Sequence, residues 1–126
     1  MSTRIDTEQG ARPVAAYSQA VWAGNTLFVS GQIPLNPENG LLEQDTIQAA
    51  TSRCLSNAEA ILQAAGLSLQ HVVKASVFLT TMEDYAGMDE AYRKGMPEPF
   101  PAREAVAVQA LPKGARVEIS LIAQKK

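Results

Sequence analysis

The sequence predicts an α+β domain, a mixed six-stranded sheet with two helices on one face. Three observations carry that expectation. Two long stretches repeat apolar residues at intervals of three and four, whereas the shorter apolar stretches are rich in β-branched and aromatic residues. The elements run strand, strand, strand, helix, strand, helix, strand, strand; helical crossovers join parallel strands and tight turns join antiparallel ones, so the sheet must be mixed. With 126 residues, 46% of them hydrophobic and 19% charged, the chain can bury one core and is too short for two, so a single domain over residues 1–126 is expected.

Thr3 to Thr7 alternates weakly as a short edge strand, and Gly10-Ala11-Arg12-Pro13 interrupts regular structure. Ser18 to Ala23 and Thr26 to Gly31 are strands joined at Ala23-Gly24-Asn25, where Gly and Asn tolerate a turn backbone. Pro34, Pro37 and Gly40 make residues 33–40 a loop, leaving the strand end at Ser30-Gly31-Gln32 open to whatever packs there. From Asp45 or Thr46 to Ala65 the apolar stripe Ile47, Ala50, Cys54, Leu55, Ala58, Ile61, Leu62, Ala65 forms a helix that Gly66 ends. Val72 to Leu79 is near-continuously apolar, as a central strand covered on both faces would be. Thr81 with Asp84 resembles a capping box, and Tyr85, Met88, Ala91 and Tyr92 form the buried stripe of a second helix that Pro97 and Pro99 stop.

The last two strands, Ala102 to Val108 and Val117 to Ile122, are expected to pair as an antiparallel hairpin. Opposed positions then share a constant sum, and a sum of 221 places Arg103 and Glu118 on one face with Ala105, Ala107, Ser120 and Ile122. Val106 and Val108 would join Val117, Ile119 and Leu121 under the helices. A guanidinium fork matches a carboxylate, so Arg103 is a candidate anchor for a small acid, provided Glu118 does not consume it. A mixed face lacking a cover from its own chain is expected to be a subunit interface, hence a homo-oligomer; a solvated face of a monomer is the alternative.

A net charge of −2 and a pI near 5.4 give no basic field, which disfavours nucleic acid as the main partner. Cys54 is the only cysteine and lies on a helix's apolar stripe, a small core residue in a reducing compartment, so the cytosol is the expected location. His71 is the only histidine, in a turn far from the other candidates, and no ligand cluster for a metal is spaced to form one. No apolar stretch reaches membrane-spanning length, so no membrane partner is expected. Tyr17 can be a packed ring or a hydroxyl donor.

Tyr17-Ser18-Gln19-Ala20, Ser30-Gly31-Gln32-Ile33-Pro34-Leu35, Asn57 to Leu62, Ala64 to Leu67, Val73-Lys74 with Val77-Phe78, Pro101-Ala102-Arg103, Leu111-Pro112-Lys113 and Val117-Glu118-Ile119 together resemble the RidA/YjgF family of enamine/imine deaminases, from about Ile5 to Ala123. The resemblance implies a chorismate-mutase-like fold, a homotrimer with ligand clefts between subunits, and cofactor-free hydrolysis of reactive 2-imino acids such as 2-aminoacrylate and 2-iminobutyrate to 2-keto acids and ammonia. It implies that Arg103 holds the substrate carboxylate, Glu118 positions water or moves a proton, Tyr17 lies in the cleft, and Ser30 and Gly31 lie beside the ligand. Asp89 and Ala105 stand where many members carry a cleft asparagine and a cysteine, Ala15-Ala16 replaces a Gly-Pro, and the loop from Lys94 to Phe100 is short. Two rivals remain: a non-catalytic small-carboxylate-binding module of the same fold, and the ribonuclease or translation-inhibitor activity attributed to relatives.

Overall fold

A computed structural model describes residues 3–126. Six strands form one sheet: β1 (Arg4–Ile5), β2 (Ala20–Ala23), β3 (Thr26–Gln32), β4 (Val72–Leu79), β5 (Ala102–Ala107) and β6 (Val117–Gln124), in spatial order β1-β2-β3-β6-β4-β5. All pairs are antiparallel except β4 with β5. Helices α1 (Ile47–Ala64) and α2 (Tyr85–Gly95) cover one face, as the sequence predicts.

The ends of α1 follow from sequence. Thr46 Oγ accepts the Ala49 amide at 3.0 Å, satisfying one of the first-turn donors, and Gly66 ends the helix at φ +81°, a conformation that costs a glycine little. Thr81 caps a 3₁₀ turn, its Oγ accepting the Glu83 amide, and α2 begins three residues later than a capping box at Thr81 would place it. The two helices approach closely at glycine: a Cβ on Gly87 would lie 2.5 Å from Ile47 Cγ2, and one on Gly95 2.9 Å from Leu55 Cδ1. Between helices and sheet lie Cys54, Ile61, Leu62, Met88 and Tyr92 against Leu27, Val29, Val77, Leu79, Ile119 and Leu121. Burying whole side chains of this kind contributes roughly 1.5–3 kcal/mol each.

Two expectations fail, and both failures matter for the site. The final hairpin does not form. Strand β6 is inserted between β3 and β4, pairing antiparallel with both, while β5 lies parallel to β4 on its far side. The cause is non-local: β4-α2-β5 is a helical crossover, which puts β5 beside β4, and the segment 108–116, with its 3₁₀ turn at Pro112–Gly114, is long enough to carry the chain back across β4. The second failure follows from parity. Arg103 is level with Ala75, and Glu118 with Phe78, three residues apart on β4. Side chains alternate along a strand, so Arg103 and Glu118 lie on opposite faces. Arg103 and Ala105 share the helix-covered face; Glu104 and Val106 share the open face with Glu118, Ser120 and Ile122.

Two buried amides tie the connecting segments down. Gln19 accepts the Thr7 amide at 2.7 Å and donates to the carbonyls of Thr7 and Ala11, fixing the chain that leads to Tyr17. Asn57 donates to the carbonyls of Ile33 and Leu35, holding the loop after β3 against α1.

Candidate functional site

Arg103 is cradled by one stripe of α2. Its Nη1 donates to Asp89 Oδ1 at 3.0 Å and its Nη2 to the Tyr85 hydroxyl at 2.8 Å. The guanidinium carbon lies 4.6 Å from the Tyr92 ring centroid and 5.6 Å from that of Tyr85. Tyr85, Asp89 and Tyr92 are i, i+4 and i+7, which brings all three to the same side of a helix. Asp89 Oδ2 also accepts from Arg93 Nε at 3.2 Å, and Arg93 in turn lies 6.0 Å from the Phe100 ring centre. Burial pushes the Asp89 carboxyl up, but the hydrogen bonds and charges of Arg103 and Arg93 outweigh it, so it stays charged below the ordinary aspartate range. Asp89, Tyr92, Arg93, Phe100, Pro101 and Arg103 line a pocket of about 320 Å³. Of the five guanidinium N–H donors, three take no hydrogen bond among the described residues. The cradle therefore leaves Arg103 with donors in reserve.

Glu118 occupies a second pocket, also about 320 Å³, with Val14, Ala15, Tyr17, Ser30, Gly31, Ile33 and Pro112. Its carboxylate has no hydrogen bond or ion pair among the described residues, and burial raises its pKa above the ordinary glutamate value of 4.5. Gly31 makes room for it. A Cβ there would lie 2.7 Å from Glu118 Cδ and closer still to Oε2. Ser30 lines the pocket, although its hydroxyl donates to the Ser18 carbonyl at 2.6 Å. Tyr17 is 44% exposed, its hydroxyl accepting the Val14 amide at 3.3 Å. A carboxylate held unpaired beside a cavity is equipped to exchange a proton with water or a ligand.

The site residues expected from sequence thus fall into two groups. Arg103 and Asp89 are together, with Ala105 further along the same face of β5; Glu118, Tyr17, Ser30 and Gly31 are together in the other pocket. The expected Arg103 and Glu118 partnership within one chain does not exist. Tyr85, Tyr92 and Arg93 escaped the reading; Tyr85, assigned to a buried stripe, is 36% exposed and turns its hydroxyl to Arg103. The spacing of 85, 89 and 92 was the available signal. Cys54 is buried, and desolvation drives its thiol pKa far up, so it is an inert core residue. His71 caps the turn before β4 with Ser68. No group of three or more His, Cys, Asp or Glu among the described residues is gathered to hold a metal, and no helix is long and apolar enough to cross a membrane.

The fold is an α+β domain with a partly paired arginine beside a pocket on one sheet face and an unpaired glutamate beside a pocket on the other. The family model described as Endoribonuclease L-PSP matches residues 7–125. A RutC family protein of Pyrococcus horikoshii is 45% identical over 126 residues, all of both chains. A 2-iminobutanoate/2-iminopropanoate deaminase of Capra hircus is 39% identical over 94% of this chain and 87% of its own. The structure of RidA from an Antarctic Psychrobacter superposes with a TM-score of 0.94 at 42% identity, covering 99% of this chain and 100% of that one. The chain belongs to the RidA/YjgF family.

Proposed function

We propose that this protein hydrolyses reactive 2-imino acids to 2-keto acids and ammonia, in a homotrimer whose clefts join Arg103 of one copy to Glu118 of the next. The observation that carries the reading is the split site. Each pocket holds half of what the reaction needs, on opposite faces of one sheet, so the halves can meet only between copies. The open face is suited to an interface: Phe28, beside Ile122, and Val106, level with Phe78, are 48% and 43% exposed there.

In such a cleft the substrate carboxylate takes the reserve donors of Arg103, which fixes the iminium carbon near a water at Glu118. Glu118, which burial makes more basic than a free glutamate, takes a proton from that water as its oxygen attacks the carbon. The tetrahedral carbinolamine keeps the nitrogen; Glu118 returns the proton to it, then takes the hydroxyl proton as the C–N bond breaks and the C=O bond forms, and the departing ammonia carries that proton away as ammonium. Holding carboxylate, carbon and water in line supplies most of the acceleration. Gly31 leaves the ligand access to the carboxylate, and Tyr17 stands at the mouth.

The test is release of ammonia and keto acid from freshly generated 2-iminobutyrate. Acceleration is expected, and Arg103→Ala should abolish it while the assembly persists. Asp89 occupying part of Arg103 favours a second reading, a carboxylate-binding module without catalysis. Unaccelerated hydrolysis of several imino acids with retained keto-acid binding would select it.

A further inference from the structure

We propose that Asp89 is a specificity-determining residue that makes this cleft select ligands bearing a cation on the carbon next to the carboxylate, 2-iminium and 2-ammonium acids, over 2-keto acids. The inference deepens the proposed function and rests on its assignment of Arg103 as the carboxylate anchor.

The argument is one of charge placement. Asp89 Oδ1 is 3.0 Å from Arg103 Nη1, and both side chains are largely withdrawn from water, 26% and 16% exposed. A ligand carboxylate seated on the remaining Arg103 donors therefore lies within a few ångströms of a second carboxylate. For a simple anion that proximity is repulsive and weakly screened. A ligand with a positively charged nitrogen one carbon away reverses the sign, because the nitrogen can face an Asp89 oxygen while the carboxylate faces Arg103. Asp89 lines the pocket and each of its oxygens accepts only one arginine hydrogen bond, so lone pairs remain for that nitrogen. Arg93, over Phe100, completes the trio and leaves it one net positive charge, enough to retain an anion.

The selection gives hydrolysis a direction. The iminium acid and water become the keto acid and an ammonium ion, so the positive charge leaves with the nitrogen. The product keeps its carboxylate and loses the group that faced Asp89. It keeps its hold on Arg103 but has nothing left to offset the repulsion from Asp89, so it binds more weakly than the substrate and departs.

The experiment is calorimetric titration of the intact assembly with L-2-aminobutyrate and with 2-oxobutyrate, for the natural chain and for Asp89→Asn, which keeps the shape and an acceptor for Arg103. The natural chain should bind the amino acid about tenfold more tightly than the keto acid, and Asp89→Asn should lose or invert that preference, chiefly by tighter keto-acid binding. Equal affinities in the natural chain, or a preference that Asp89→Asn leaves unchanged, overturns the inference. The titration of the natural chain stands even where the variant fails to fold. Deamination is measured separately: absent catalysis with the expected selectivity removes the proposed function and keeps this inference, whereas neither ligand binding removes both.

Discussion

Gly31→Ala separates the chemistry from the fold. An added Cβ would sit 2.7 Å from Glu118 Cδ and 3.0 Å from Cγ, with Oε2 nearer than either. Ordinary carbon contact begins near about 3.5 Å, so the carboxylate must retreat by roughly 1 Å or change rotamer. The clashing atoms all belong to one side chain that borders a cavity, and moving it off its preferred torsion costs about 0.5–1.5 kcal/mol. Gly31 lies in β3 without a positive φ, so alanine recovers about 0.4–1 kcal/mol by restricting the unfolded chain. The two nearly cancel, and Tm should move by no more than about 4 °C. Activity is different: a displacement near 1 Å of a proton-transfer group can cost about 100-fold. The assay pairs initial rates of ammonia release from 2-iminobutyrate with thermal unfolding by circular dichroism. Undiminished turnover in Gly31→Ala would refute the claim that Glu118 acts from this position. A large fall in Tm would instead make Gly31 a structural residue.

Glu118→Gln should lose activity at neutral pH and gain thermal stability there. Because burial raises the folded pKa above the unfolded one, the folded state binds the proton more tightly; that contribution is complete below about 4.3 and is lost as pH rises through the raised value. Unfolding curves at pH 4 and pH 8 should therefore coincide for the two proteins at the lower pH and diverge by a few degrees, glutamine higher, at the upper. Phe28→Glu, on the open face beside Ile122, should give a folded but dissociated and inactive chain, read by sedimentation and circular dichroism. Gly87→Ala drives a Cβ to 2.5 Å from Ile47 Cγ2. Overpacking of about 1–3 kcal/mol should exceed the helix-propensity gain of about 1, lowering Tm without changing KM.

Local chemistry made the elements legible. Thr46, Gly66, Gly24 and the stripe from Ile47 to Leu62 each act within a few residues, and each does in the structure what its type predicts. Strand order was not legible, because β6 chooses its neighbours by how α2 carries the chain from β4 to β5, and no residue in 102–122 records that. A hairpin is the local solution for that segment and the wrong global one. The error was consequential, since it put Arg103 and Glu118 on one face, whereas the sheet of a single chain holds them on opposite faces. It also concealed the actual partner of Arg103. Asp89 was singled out as a cleft residue, but only the helical spacing of Tyr85, Asp89 and Tyr92 shows that α2 forms the cradle.

The central claim, that Arg103 and Glu118 act together only across two copies, is tested most directly by mixing. Arg103→Ala and Glu118→Gln chains, each inactive alone, are dissociated, combined in equal amounts and reassembled. In a cyclic assembly one cleft in about four then pairs an intact Arg103 with an intact Glu118, so activity should return to about a quarter of that of the natural protein. If both residues serve one cleft from the same chain, every cleft stays defective, and a mixture as inactive as its components contradicts the account.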